Sequence, residues 1–286
     1  MKNKILILSA LALVLSSCEY EFDVDVPLSG PIPMVEFLDG FEGDSTRFHI
    51  YKLYPVGSKI QSAADFELKS LSLCVDGVER PVDRIEGTSW FKTAAGIPEG
   101  SRMELSFVMD ALPEAKASAT KPHAPHFEVE GTRIEEDRCL WDLRIEDHKE
   151  GDFYALSVMA YRDGMWQDIT VETSSGNSIL ATPFMYRIYW KWWDRSLTLN
   201  VVDEEMASGG RIQFETYSSA EQYNIALINI SPEVYYYLIA RYNQDNNVLA
   251  MLNLSPPNFA YSNVEKGFGL FGAAAFSETT LNIPLI

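Results

Sequence analysis

Short stretches of alternating apolar and polar residues, separated by turn residues, recur along almost the whole chain. Residues 69–75 alternate, so Leu71, Leu73 and Val75 fall on one face of a predicted strand. The pair Asp76-Gly77 follows at once, and Asp-Gly between two such stretches is typical of a tight hairpin turn. Repeated strand–turn–strand units leave little chain for helices. The sequence therefore predicts a mostly β protein.

The first half of this pattern, residues 34–121, predicts an immunoglobulin-like β-sandwich, because several short strands follow one another over about 90 residues. Residues 122–126 predict a linker, because Pro122 and Pro125 exclude both a helix and a central strand. The predicted strands of this half are 44–53, 69–75, 78–85, 89–92 and 102–109.

The second half, residues 127–286, predicts a larger β-rich domain, either a sandwich or barrel-like, with one helix near 231–245. Ser231 suits the N-cap of that helix, Pro232 its first position and Glu233 its first turn. The predicted strands of this half are 127–145, 153–161, 166–172, 223–230 and 278–285, and Asp163-Gly164 predicts a second hairpin turn, which leads to 166–172. The glycine-rich segment 261–272 predicts a bulged strand, in which Gly267, Gly269 and Gly272 allow positive φ or close backbone approach.

The N-terminus predicts export. Lys2 and Lys4 precede an apolar run at 5–15, which is too short to cross a bilayer, and small residues follow it. The residues Leu15-Ser16-Ser17-Cys18 resemble the bacterial lipoprotein box, in which the cysteine is lipidated and the preceding peptide is removed. We therefore expect a signal peptide at 1–17 and a lipid on Cys18. The alternative is ordinary secretion, with Cys18 free or in a disulfide.

Residues 18–33 predict an acidic tether. Its acids, Glu19, Glu21, Asp23 and Asp25, alternate with apolar residues, which is also typical of a half-buried strand. Surface lipoproteins of Bacteroides-like bacteria carry acids in a similar place, which favours the outer membrane with the body facing the cell surface. A periplasmic orientation stays open.

The net charge of −18 argues against nucleic acid and anionic membrane surfaces as partners. Attachment to a membrane would then come from the lipid. Cys74 and Cys139 could form a disulfide in an oxidising compartment, but two separate thiols are the favoured interpretation. His123 and His126 are interpreted as exposed linker residues, so we predict no metal, no cofactor and no catalytic residues.

The strand 184–193 is unusually aromatic. One face holds Phe184, Tyr186, Ile188, Trp190 and Trp192, which favours a core. The other face brings Arg187, Tyr189, Lys191 and Trp193 together in an otherwise acidic chain. Such a face suits a sugar ring, an aromatic ligand or a protein partner. The alternative is cation–π packing on a solvated sheet face.

The segment Tyr261-Ser262-Asn263-Val264-Glu265-Lys266-Gly267-Phe268-Gly269-Leu270-Phe271-Gly272 resembles the closing signature of a Bacteroidota lipoprotein family, catalogued as domain of unknown function 4249. Residues 119–122, 147–154 and 230–238 are similar to other parts of that family. The resemblance implies an immunoglobulin-like domain followed by a β-rich domain with one helix. It also implies action beside TonB-dependent outer-membrane transporters, with no catalytic residues to carry over.

The expected function is therefore a non-catalytic binding or accessory lipoprotein, working beside such a transporter in nutrient uptake. Two alternatives stay open. A glycan-acting hydrolase on a β-sandwich would need two carboxylates facing each other across a cleft. A structural adhesin or fimbrial subunit would need an unpaired sheet edge or a detachable terminal strand.

Overall fold

The computed structural model describes residues 30–40, 45–54, 66–94, 96–135, 138–173, 185–192, 195–202, 207, 209–217, 220–245 and 261–282. These residues form 18 strands and one helix. The strands are β1 (Ile32–Asp39), β2 (Ser45–Leu53), β3 (Leu68–Val75), β4 (Val78–Arg80), β5 (Val82–Arg84), β6 (Trp90–Ala94), β7 (Arg102–Met109), β8 (Ala115–Thr120), β9 (Phe127–Glu135), β10 (Arg138–Ile145), β11 (Phe153–Arg162), β12 (Met165–Asp168), β13 (Val171–Thr173), β14 (Met185–Trp192), β15 (Arg195–Val202), β16 (Arg211–Tyr217), β17 (Gln222–Ile230) and β18 (Phe268–Asn282), and the helix is α1 (Pro232–Asp245). The expectation of a mostly β fold with one helix is confirmed.

The first β-sandwich packs two sheets face to face. One sheet has the order β18–β1–β2–β6–β5 and the other has the order β4–β3–β7–β8. Apolar and polar residues alternate along β7, and every second residue is buried between the two sheets. The rings of Phe37, Phe48 and Phe271 meet in the core, with Phe37 centred 5.1 Å from Phe48 and 4.6 Å from Phe271.

The second β-sandwich packs the strands β14–β15–β11–β17–β18 against the sheet β13–β16–β10–β9. Trp141 lies at its centre, 5.0 Å from the ring of Tyr223 and 6.1 Å from that of Phe214. The indole Nε1 of Trp141 donates a hydrogen bond to Thr216 Oγ1 at 2.9 Å. This bond satisfies the one polar group that the ring buries.

The helix α1 adds a third layer on the far side of the large sheet. Val234 and Leu238, one turn apart, are fully buried there against Phe153 and Leu270. Ser231 joins the helix to the sheet, because its N–H donates to Ala273 O at 2.9 Å. The predicted helix and its start are confirmed.

The long strand β18 belongs to both sandwiches. Its first part pairs in parallel with β1, from Met34 with Phe268 onward, and its last part pairs antiparallel with β17, as far as Gln222 with Asn282. Phe271 enters the first core, whereas Leu281 packs against the second. The division of the chain into two domains, 34–121 and 127–286, stays a prediction. β18 supplies side chains to the cores of both sandwiches.

The predicted strand 127–145 was wrong as a single strand, because it forms the antiparallel pair β9 and β10. Two other predicted strands are each divided between two sheets in the structure. The stretch 78–85 forms β4 and β5, which belong to opposite sheets of the first sandwich, and Pro81 lies between them without an N–H to donate. The stretch 166–172 lies in β12 and β13, which likewise belong to different sheets. Both predictions were wrong on continuity, because alternation continues while the chain crosses from one sheet to the other.

The predicted bulge at 261–272 is not seen, since the register of β18 with β1 is unbroken. The expectation of close backbone approach is confirmed. Gly269 has a φ of +120°, and a Cβ there would lie 1.9 Å from Val35 O. Glycine is therefore required where β18 passes β1.

Candidate functional site

The predicted contact residues Arg187, Tyr189 and Lys191 lie in β14, the strand that ends the large sheet. Their backbone positions pair with Asn200, Thr198 and Ser196 of β15. Cys18 and Trp193 lie outside the described residues. The prediction that the cationic residues form a binding face therefore stays a prediction.

The register of β14 fixes which residues share a face of the sheet. Tyr186 pairs with Val201 and Ile188 with Leu199. Val201 and Leu199 are buried in the core beneath α1. The apolar positions of β14 thus belong to the face that α1 covers, and the cationic positions belong to the opposite face.

A hairpin formed by β11 and β12 exposes three large apolar side chains. Tyr161 is 40% exposed, Met165 58% and Trp166 38%. The Tyr161 and Trp166 rings meet edge to face, with centroids 5.4 Å apart. Asp163 and Gly164 make the turn with φ values of 50° and 80°, as Asp-Gly predicts. An exposed aromatic group of this kind is typical of a contact surface. Met165 is in register with Arg162, so it lies on the opposite face of the hairpin from the two rings. We call these three side chains, which flank the tip of the hairpin, the hairpin patch.

The hairpin patch was not predicted from the sequence, although a signal for it exists. The turn at Asp163-Gly164 was predicted, and Tyr161 and Trp166 occupy equivalent positions on its two sides. Strands were predicted on both sides of the turn, but the pattern does not state which of their side chains are exposed. The exposure follows from the position of β12, a four-residue strand that pairs only with β11 among the described strands.

The hairpin patch lies at one end of the large sheet. Tyr161 is in register with Gln222, and Gln222 with Asn282, the last residue of β18. The described chain enters at the other end, where Met34 is in register with Phe268. The 15 residues of β18 separate these ends by roughly 45 Å at about 3.3 Å per residue.

The segment that carries the family resemblance has a structural role. The Asn263 side-chain amide donates to Phe271 O at 2.7 Å, and Phe271 N donates to Asn263 Oδ1 at 2.9 Å. Ser262 Oγ accepts hydrogen bonds from Val264 N and Gly269 N. These residues therefore hold the start of β18 in place.

A shallow basin of about 510 Å³ lies on the outer face of β3, β7 and β8. Ser72, Ser106 and Ser118 contribute to its lining. Its charged residues already have partners, since Arg102 lies 3.0 Å from Glu104 and Lys116 lies 3.0 Å from Glu114. The basin can accept a polar ligand only by competing with those ion pairs.

The arrangement closest to a catalytic triad is a chain of three side chains. The Ser89 hydroxyl hydrogen-bonds His49 Nε2, and His49 Nδ1 lies 3.9 Å from Glu36 Oε2. Ser89 is only 7% exposed, and the imidazole stacks on Trp90 at 4.6 Å and on Tyr51 at 4.2 Å. A substrate carbonyl could reach the hydroxyl only after these rings moved apart, so the chain of contacts is a packing feature.

The histidines of the linker each lie beside a carboxylate. His126 Nδ1 is 3.1 Å from Asp147 Oδ2, and His123 Nδ1 is 3.5 Å from Glu99 Oε2. Both side chains are exposed. Within the part of the chain that the structure describes, no three His, Cys, Asp or Glu side chains are grouped to hold a metal ion.

The two remaining cysteines are free thiols on different sheets. Cys139 is buried in the second sandwich, where its sulfur lies 3.4 Å from the Tyr223 hydroxyl. Cys74 is half-buried on β3, with its sulfur 3.6 Å from Ser72 Oγ. The favoured interpretation of two separate thiols agrees with this placement.

The described elements thus define a β protein of two sandwiches that share one large sheet, with a single helix across it and an exposed aromatic hairpin at one end. The family model described as domain of unknown function (DUF4249) matches residues 44–280, and the chain belongs to that family. A search of curated proteins gives no match. None of the helical residues described in the structure forms a segment long and apolar enough to cross a membrane.

Proposed function

We propose that this protein is a lipid-anchored binding component of the bacterial outer membrane, that it works beside a TonB-dependent transporter in nutrient uptake, and that it performs no catalysis. The lipid on Cys18 holds the chain to the membrane, and the body faces the cell surface. The fold supplies a rigid β scaffold, and the hairpin patch supplies the contact with the transporter.

The observation that carries this proposal is the placement of the hairpin patch relative to the chain entry. Cys18 and Gly30 are 12 residues apart, which limits their separation to roughly 40 Å. The patch lies a further 45 Å or so from the entry, measured along β18. The described chain therefore enters the body at the end opposite to the hairpin patch, which suits a partner that rises from the same membrane.

Site-specific photo-crosslinking in the full-length protein tests this function. A photoreactive residue replaces Met165 in the bacterium that makes the protein, and the adducts are identified by mass spectrometry. The matched control carries the same residue at Val78, an exposed apolar position on the first sandwich. We expect a TonB-dependent transporter to be attached at position 165 and not at position 78.

A second arm uses Trp166→Ser, which removes the ring without touching a core. This variant should fold normally and lose most of the adduct at position 165, because buried aromatic side chains dominate contact energies. Equal adducts at positions 165 and 78, or no transporter adduct at either, would contradict the proposal.

A further inference from the structure

Two sequence segments that the proposed function does not use meet at the start of α1. Glu233 lies in the first turn of the helix, and Tyr236 follows three residues later. Tyr261 begins the segment that leads to β18. The rings of Tyr236 and Tyr261 are centred 6.0 Å apart at 44°, and Tyr236 is 46% exposed.

A third ring extends this group. The Phe153 ring is centred 5.7 Å from that of Tyr236 at 63°, so it meets that ring edge to face. Tyr236 thus contacts the rings of both Tyr261 and Phe153 and still exposes almost half of its surface. The faces of these rings carry partial negative charge, which attracts cations within about 6 Å of a ring centroid.

The carboxylate of Glu233 has an unsatisfied oxygen. Glu233 Oε2 is buried, and no described residue donates a hydrogen bond to it. Buried carboxylate oxygens in folded proteins normally have a donor, because an unpaired one costs free energy. The described residues thus leave this oxygen open to a donor on a bound ligand.

The electrostatics around Glu233 favour a cation. Burial, the Glu233 charge and Tyr236 together raise the pKa of Tyr261, so its hydroxyl stays neutral. The net charge of the chain is −18, which concentrates cations and repels anions at its surface. Since a carboxylate and aromatic faces are the usual partners of an organic ammonium group, the chemistry of the site is selective.

We propose that Glu233, Tyr236 and Tyr261 form a binding site for an organic ammonium group. The carboxylate pairs with the positive charge, and the tyrosine rings cover the carbon atoms attached to the nitrogen. This site is separate from the hairpin patch and does not depend on the proposed function or on the lipid anchor. The ammonium group could belong to a free amine or to a lysine side chain of a protein.

Calorimetric titration of the intact chain with methylammonium and tetramethylammonium tests the site. We expect saturable binding of an ammonium probe and none of acetate. Glu233→Gln keeps the shape of the side chain and should weaken binding by about tenfold, as the loss of a partly desolvated ion pair predicts. Tyr236→Leu should weaken it as well.

The matched control is Glu278→Gln, which neutralises an exposed carboxylate on β18. This control should bind the probes as the unchanged protein does. Thermal unfolding of each variant shows that it is folded. The proposal would be overturned if neither ammonium probe bound saturably. It would also be overturned if the unchanged protein and Glu233→Gln bound a probe with equal affinity.

A comparison of two ligands distinguishes the two sources of the ammonium group. A short peptide with one lysine is compared with methylammonium at the same site. Tighter binding of the peptide, lost in Glu233→Gln, would identify a protein side chain as the natural ligand. Equal affinities, both lost in that variant, would identify a free amine.

Discussion

Asn263 pairs with Phe271 through both its side-chain oxygen and its side-chain nitrogen, so its amide group takes the place of a neighbouring strand beside β18. The two hydrogen bonds measure 2.9 and 2.7 Å. Phe271 is fully buried in the first core. One polar side chain thus secures the point where the last strand of the chain joins the first sandwich.

Replacing Asn263 with alanine should destabilise the fold by about 1–3 kcal/mol, because the Phe271 N–H and C=O would lose their partners in a buried position. The free energy of unfolding in urea measures this loss. The matched control is Asn224→Ala, whose amide makes only long bonds of 3.3 and 3.5 Å to exposed groups. The control should change stability by less than about 0.5 kcal/mol. Equal effects of the two substitutions would contradict the role assigned to Asn263.

Gly272 is needed because the helix passes so close to β18. A Cβ at this position would lie 2.4 Å from Val234 Cγ2 and 3.2 Å from Ser231 Oγ. Gly272→Ala should therefore destabilise the protein by about 1–3 kcal/mol through overpacking. Gly30→Ala is the control, since nothing lies within 4 Å of a Cβ there.

The same contact can be examined with a double-mutant cycle. Val234→Ala removes the methyl group that the new Cβ would meet, so the double variant should be less destabilised than the sum of the two single effects. Strict additivity of the two effects would show that the clash does not involve Val234.

Lys121 and Asp39 form a buried ion pair where the linker leaves the first sandwich. Lys121 Nζ lies 2.8 Å from Asp39 Oδ2, and Thr46 donates to the other carboxylate oxygen. Lys121→Met should destabilise the fold by about 3–5 kcal/mol, because the Asp39 charge would stay buried without its partner. The exposed pair of Lys116 and Glu114 provides the control, and Lys116→Met should destabilise the fold far less than Lys121→Met.

Asp110 should make the protein sensitive to acid. Its hydrogen bond with Lys52, together with one from Glu67 N, lowers the pKa of the carboxyl below its usual value of 3.8. A folded-state pKa below the unfolded one contributes stability that is present above pH 3.8 and is lost as the pH falls through the folded value. Unfolding midpoints in urea between pH 5 and pH 2.5 should therefore fall less steeply in Asp110→Asn than in the unchanged protein. Equal slopes in Asp110→Asn and the unchanged protein would contradict this role of Asp110.

Local features of this fold could be predicted from the sequence because they depend on neighbouring residues. Alternation predicted the strand at 102–109 with the bounds that β7 has, and the Ser231-Pro232-Glu233 start predicted α1. The two Asp-Gly turns were predicted for the same reason, since positive φ at both positions favours these residues.

Long-range features could not be predicted, because the alternation of apolar and polar residues does not specify which strands are neighbours in a sheet. β1 and β18 pair although they are more than 200 residues apart. The first residues of β11 are buried on both faces, because α1 covers one face and the sheet β13–β16–β10–β9 covers the other. The alternation of apolar and polar residues is therefore absent there. The approach of Tyr261 to Glu233 depends on the same tertiary arrangement, which is why the ammonium site has no signal in the sequence.

The most direct test of the proposed function is mass spectrometry of the N-terminal peptide from the native cell envelope. The account predicts a mature chain that begins at Cys18 and carries acyl groups on that residue, recovered with the outer membrane. A chain that still begins at Met1 in the cytosol, or a mature chain whose Cys18 is unmodified, would contradict it.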